Sequence, residues 1–284
     1  MSIVVTGATG QLGRHVVDGL LARVPADQVT AVVRDRERAA ALADRGVRLH
    51  VADYDAPETF AGLFAAGDRV LLISGSEVGK DRVGQHRTVV EAAAAAGVGL
   101  LAYTSAPGRL TAALADDHRA TEQVVLGSGL PYTLLRNNWY HEVYTGNLAP
   151  VLAHGAVVQA AGDGRVASAA RADYAAAAVA VLTGDGHENR TYELSGDTAW
   201  SFAEYAAELG RQTGREIGYS NVAPDVYRGI LVGAGLPEMF ATILAEVDVA
   251  VEQGELAETS GDLSRLIGRP TTPLAEAVTA ALRG

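Results

Sequence analysis

Ile3-Val4-Val5-Thr6-Gly7-Ala8-Thr9-Gly10-Gln11-Leu12-Gly13 is the stretch whose reading decides the fold. Three apolar residues with strand character lead into G-x-x-G-x-x-G. Leu12, Val16, Val17, Leu20 and Leu21 then fall on one face at helical spacing. The pattern is strand, glycine turn, amphipathic helix. Glycines allow the tight turn and let backbone come close to a pyrophosphate. The last glycine lets the helix pack against the strand, and the helix N-terminus faces the phosphates. Glycines are common in turns, so the motif is read together with its flanking strand and helix. On that reading Gly7, Thr9, Gly10, Gln11, Leu12 and Gly13 contact a dinucleotide.

Working outward, short apolar runs recur at 29–33, 47–51, 70–73, 100–103 and 132–135, as expected of strands buried on both faces. Helix-forming segments lie between them, for instance at 36–45 and 84–96. Strands and helices alternating at this interval predict an α/β protein with a Rossmann-type, doubly wound parallel sheet. After Leu135 the pattern changes. Asn137-Asn138-Trp139-Tyr140 is polar and aromatic, and Ala161-Gly162-Asp163-Gly164 signals a turn. An Ala/Val-rich helix at 173–183 and a strand at 191–194 follow, then amphipathic stretches at 202–212, 225–234, 239–252 and 273–282. The expected division is a dinucleotide domain of residues 1–135 plus about 156–184. A smaller, mostly helical C-terminal lobe, of about 136–155 plus 185–284, is expected to bind substrate.

Composition excludes several classes. The chain has no cysteine, so disulfides, thiolate metal sites and a cysteine nucleophile are ruled out. No closely spaced His/Glu cluster suggests zinc, and no metal is expected. A net charge of −11 without a basic patch argues against nucleic acid and anionic membranes as partners. No apolar run approaches the roughly 20 residues of a membrane helix. The chain opens on a strand without a basic, apolar leader, which predicts a cytoplasmic protein. Its Ala- and Arg-rich character fits high-GC bacterial coding.

Arg34 ends the second predicted strand, 21 positions after Gly13. An acidic residue there would bind ribose hydroxyls and favour NAD(H); arginine can pair with the 2′-phosphate of NADP(H). Asp35 beside it keeps NAD(H) open, and an exposed arginine opening a helix is the plain alternative. Asp53 and Tyr54 follow the third strand, where a polar pair can reach adenine. Ser74, Gly75 and Ser76 follow the fourth, beside the crevice where strand order should reverse. Each of these could equally be a strand-ending turn.

One absence is informative. Many short-chain dehydrogenases reduce carbonyls with a tyrosine followed four residues later by a lysine, which lowers the tyrosine pKa. Lys80 is the sole lysine here, and Ser76 stands four before it. Hydride addition to an aliphatic ketone gives an alkoxide with a conjugate-acid pKa near that of water, roughly 15.7. Addition to a quinone gives a phenolate-like product, with a value nearer ~10. A chain without the Tyr–Lys pair therefore suits quinones, dye cations and similar acceptors, or no chemistry at all.

The opening motif, the 72–79 stretch Leu-Ile-Ser-Gly-Ser-Glu-Val-Gly, Ala102-Tyr103-Thr104-Ser105 and Leu134-Leu135-Arg136-Asn137-Asn138-Trp139-Tyr140 resemble the NmrA-like atypical short-chain reductases. So do Ala161–Gly164, Arg171-Ala172-Asp173-Tyr174 and Leu266-Ile267-Gly268-Arg269-Pro270-Thr271-Thr272. The resemblance runs nearly end to end and is strongest to the quinone and triphenylmethane reductases of that group. It implies NADPH in the N-terminal lobe and a quinone entering between the lobes. It also implies cofactor contacts from the glycine loop, Arg34, Ser74–Ser76, Tyr103, Thr104, Asn137, Asn138, Trp139 and Tyr140. The 106–109 segment, Ala-Pro-Gly-Arg, departs from what relatives would suggest and could border the substrate.

Tyr140, Asn138 and His118 are the candidates for chemistry. Trp139 and Tyr140 could wall a flat acceptor or simply pack. Asn137 and Asn138 could hold the nicotinamide amide or a quinone oxygen, or end a strand. His118 could donate a proton, although a helix start disfavours its charged form. The expected function is an NADPH-dependent reductase of a quinone or similar small aromatic substrate, acting as monomer or homodimer. A non-catalytic NAD(P)-binding redox sensor and a tailoring enzyme for aromatic polyketides are the alternatives on the same fold.

Overall fold

The computed structural model describes residues 2–75 and 80–283. In chain order the elements begin β1 (Ile3–Val5), α1 (Gln11–Leu21), β2 (Val29–Val33), α2 (Ala40–Ala43), β3 (Arg48–Val51), β4 (Arg69–Leu72) and α3 (Arg82–Ala96). Next come β5 (Leu100–Ser105), α4 (Leu114–Gly127), β6 (Tyr132–Asn137), α5 (His141–Thr145), α6 (Ala149–His154), β7 (Ala156–Gln159) and β8 (Arg165–Val166). They continue with α7 (Arg171–Thr183), β9 (Arg190–Leu194), β10 (Trp200–Ser201), α8 (Phe202–Thr213) and β11 (Gly218–Asn221). The chain ends with α9 (Pro224–Gly233), α10 (Glu238–Glu252), α11 (Asp262–Ile267) and α12 (Leu274–Arg283). Two compact units result. The first comprises Met1–Ala106, Asp117–Asn137 and Arg171–Glu193; the second comprises Pro107–Asp116, Asn138–Ala170 and Leu194–Gly284.

The first unit holds a seven-stranded sheet of order β3-β2-β1-β4-β5-β6-β9. The pairings that join β3 through β6 are all parallel. This is the doubly wound Rossmann-type arrangement expected from the sequence, and its order reverses between β1 and β4. Every residue of β1 and β5 is buried, which is why these strands read as unbroken apolar runs. Helix α1 buries Leu12, Val16, Val17 and Leu20. Each such side chain stabilises the fold by about 1.5–3 kcal/mol relative to exposure. Gly19 lets α1 and α7 approach, since a Cβ there would lie 3.0 Å from Val179 Cγ2.

The expected helix over 36–45 shrinks to the single turn of α2. The Asp35 carboxylate accepts the Glu37 and Arg38 amides at 2.9 and 3.2 Å, holding that segment in a local turn.

The second unit is mostly helical, with two small two-stranded sheets: β7 with β11, parallel, and β8 with β10, antiparallel. Those pairings move residues 156–170 out of the first unit, where the sequence had put them. Conversely, β9 joins the large sheet, so 185–193 belong to the first unit rather than the second. The 107–116 segment also belongs to the second. An aromatic cluster fills this unit: Tyr144 meets Trp200 and Phe202 edge-on at 5.2 Å each, and Trp200 meets Phe202 at 5.5 Å. Ser201 and Glu204 cap α8 reciprocally.

Candidate functional site

The glycine loop sits where the strand order reverses, between the ends of β1 and β4. Gly7 has φ +60°, the left-handed region that glycine enters without cost. A Cβ on Gly13 would lie 2.2 Å from the Gly7 carbonyl and 2.8 Å from Ala8 Cα, so no side chain fits there. On Gly10 it would lie 3.1 Å from the same carbonyl. Gly7, Gly10 and Gln11 are exposed, and Gly10 caps α1 without a side chain. The first turn of α1 carries no acidic residue. The helix N-terminus therefore presents amides and the positive end of its dipole without an acidic side chain in its own first turn to neutralise them. This cradle fits a dinucleotide pyrophosphate. Thr9 accepts the Arg14 guanidinium through its carbonyl at 2.9 Å, and Leu12 faces the core.

Arg34 stands exposed just past β2. Its charge helps hold Asp55 below the usual carboxylate range, after the larger effect of a hydrogen bond from Gln85. Lys80 pairs with the same carboxylate at 3.3 Å. Lys80 pairs with Asp55 while the Arg34 charge acts on the same carboxylate, and two such cations would suit a 2′-phosphate. Sequence reading gave Lys80 no such place, because it lies 46 positions from Arg34 and only the fold joins them.

Several expected contacts are turned inward. The Tyr54 hydroxyl donates to Thr6 Oγ1 at 2.5 Å and the Ile73 carbonyl at 3.1 Å, tying together the ends of β1 and β4. Asp53 accepts the Asp55 amide at 3.0 Å and shapes a turn. Thr104 Oγ1 accepts the Ser74 amide at 2.9 Å. Tyr103 is wholly buried. Ser76 lies outside the described residues.

Beneath the Ser74–Gly75 turn lies a buried network that sequence reading did not assemble. The Gly75 amide donates to His86 Nε2 at 2.9 Å. That nitrogen must accept, so the His86 proton sits on Nδ1 and goes to Thr121 Oγ1 at 2.9 Å. His118 follows the same logic. Arg82 can only donate, at 3.1 Å to Nε2, which leaves Nδ1–H for the Tyr103 hydroxyl at 2.9 Å. Burial first, and the Arg82 charge second, push His86 down to about 4 and His118 to about 3. Both rings are neutral at physiological pH. His118 is 8% exposed with both nitrogens engaged, which argues against the proton-donor role expected of it.

Glu122 stands one turn after His118, the spacing a Tyr–Lys pair would use. Both its oxygens are taken by Arg136, at 2.9 and 2.7 Å, and Oε1 also accepts the Ser105 hydroxyl at 2.7 Å. Arg136 reaches Glu193 as well, at 2.7 Å. The pair is structural.

Asn137 closes β6, buried, in the first unit. The other members of the predicted aromatic stretch belong to the second. Asn138 is 6% exposed; its Nδ2 donates to the Leu256 carbonyl at 3.1 Å and its Oδ1 accepts the Trp139 amide at 2.7 Å. Those bonds make it a backbone tie. Trp139 and Tyr140 remain half-buried, and Tyr140 precedes α5 without a capping side-chain bond.

Comparison with known proteins agrees with this geometry. A family model described as NAD(P)H-binding matches residues 7–185. Quinone oxidoreductase 2 of Escherichia coli (strain K12) is 47% identical over 278 residues, covering 97% of each chain. The NADPH complex of the NADPH-dependent quinone oxidoreductase from Escherichia coli matches with a TM-score of 0.95 at 46% identity, over 99% of each chain. Triphenylmethane reductase of Citrobacter sp. matches with a TM-score of 0.94 at 41% identity, over the whole of both chains. With its glycine cradle at the strand-order reversal and these likenesses along its length, the chain belongs to the NAD(P)H-binding family of NmrA-like oxidoreductases.

Proposed function

We propose that this protein is an NADPH-dependent reductase that passes hydride to a quinone or a similar aromatic acceptor. The observation that carries the proposal is the side-chain-free cradle of Gly7, Gly10 and Gly13 at the N-terminus of α1, with Lys80 paired to Asp55 and the exposed Arg34 just past β2. Bound NADPH supplies a hydride from its nicotinamide. The chain's own work is to bind and orient. The α1 amides take the pyrophosphate, Arg34 and Lys80 take the 2′-phosphate, and His86 fixes the Gly75 backbone.

The acceptor class follows from the absence of a Tyr–Lys acid pair together with the likeness to a quinone oxidoreductase. A product that leaves as a weakly basic phenolate needs little acid catalysis. The test is NADPH consumption with and without naphthoquinone, repeated with NADH. Quinone-dependent consumption, faster with NADPH, is the expected result. Tight NADPH binding without turnover across a panel of quinones would favour the sensor reading instead.

A further inference from the structure

The ends of β2 and β3 lie side by side. The two strands run parallel with Val33 opposite Val51, and the Ala52 amide donates to the Val33 carbonyl at 3.1 Å. Arg34 leaves one strand there, and Asp53-Tyr54-Asp55 follows the other. In a Rossmann-type sheet the end of the second strand is where the adenosine ribose lies. A carboxylate at that place favours the bare 2′-hydroxyl, and a cation favours the 2′-phosphate. This chain brings both signs of charge: Lys80 pairs with Asp55, and the Arg34 charge acts on the same carboxylate.

The Asp55 carboxylate is not spent on the turn that carries it. That turn is closed by Asp53 Oδ1, which accepts the Asp55 amide at 3.0 Å, and by the Thr59 hydroxyl, which donates to the Ala56 carbonyl at 2.6 Å. Asp55 reaches to other segments instead. Its Oδ1 accepts Gln85 Nε2 at 2.9 Å, and its Oδ2 lies 3.3 Å from the Lys80 ammonium. Gln85, on α3, is buried and fixes the carboxylate from below. The ion pair itself is open to solvent, with the Lys80 side chain 53% and the Asp55 side chain 50% exposed. Such a pair contributes little to stability, so its cation changes partners at small cost.

We propose that Asp55 is a specificity-determining residue for the cofactor: its carboxylate occupies Lys80 in place of the 2′-phosphate, which reduces the advantage of NADPH and keeps the site open to NADH. The inference rests on the reading of Arg34 and Lys80 as partners of that phosphate. With NADH bound, Lys80 keeps Asp55 as its counter-charge and no cation is stranded. With NADPH bound, the phosphate carries more charge than a carboxylate and draws Lys80 to itself. It then lies near a fixed negative charge, and part of what the two cations provide is lost.

The test is fluorescence titration of the whole chain with NADPH and with NADH, at low and at high salt. Asp55→Asn keeps an oxygen for Gln85 and removes only the charge. It should tighten NADPH about fivefold at low salt, an effect that fades at high salt, and leave NADH within about twofold. The unchanged NADH affinity also reports that the variant folds. In a Lys80→Ala background the same substitution should gain less, because the exchanged cation is gone. NADPH affinity that is unchanged or weaker in Asp55→Asn would overturn the inference, and so would a gain undiminished in the Lys80→Ala background. Failure of the underlying reading looks different. Arg34→Ala and Lys80→Ala would then leave the ratio of NADPH to NADH affinity unchanged, whatever Asp55→Asn does.

Discussion

The first unit and the second both bury ionisable groups in neutral form, but with opposite consequences for pH. In the first, His86 and His118 are held uncharged beneath the Ser74–Gly75 turn. Their folded pKa values lie below the ordinary histidine value. The stability this network contributes is present above about pH 6.5 and lost as pH falls toward 4. In the second, Asp248 is held uncharged, and its folded pKa lies above its ordinary value. Stability there is fully present below about pH 4 and lost as pH rises through about 7. The difference shows how each unit can be built for its task. The nucleotide cradle is backbone and fixed charge, and its histidines serve only as hydrogen-bonded supports. The second unit buries a carboxyl that holds its proton near neutrality.

The largest expected effect comes from refilling the cradle. Gly13→Val places carbon atoms inside the Gly7 carbonyl and should abolish NADPH binding, by more than about a hundredfold, at every pH. Binding retained within a few-fold by titration would show that the cradle is not where the dinucleotide lies. Arg34→Ala should weaken NADPH about tenfold and NADH hardly at all, as expected for one charge-assisted bond. An equal loss for both cofactors would remove Arg34 from the 2′-phosphate.

Smaller changes probe the supports. His86→Ala removes the acceptor of the Gly75 amide and should cost a few-fold in NADPH affinity, with His86→Gln recovering part of it. No recovery would mean that ring volume rather than the hydrogen bond matters. Asp248→Asn should flatten the alkaline side of the stability profile. Between about pH 5 and about pH 8 the wild type loses a few degrees of Tm that the variant keeps. Parallel profiles would contradict the buried neutral acid.

The fold was legible because its signals are local. The glycine loop, the apolar strands and the α1 face each lie within a dozen residues, and strands buried on both faces announce themselves. What was not legible depends on distant partners. β7 and β8 were not anticipated as strands, and their residues were assigned to the dinucleotide domain, because each is short and pairs with a strand more than thirty residues later. Lys80 gained a place only beside Asp55, and Asp248 only through the Ala160 amide, 88 positions away. Asn138 and Tyr54 show the converse. Both carry side chains that look fit for a ligand, and the fold spends their polar atoms on its own backbone.

The most direct test of the central claim is a single-turnover experiment with the full chain, saturated with an equimolar amount of NADPH and mixed anaerobically with naphthoquinone. The account predicts loss of NADPH absorbance in one phase and one hydroquinone formed for each NADPH consumed. NADPH that stays bound and unoxidised, with the quinone returned unchanged, would contradict it.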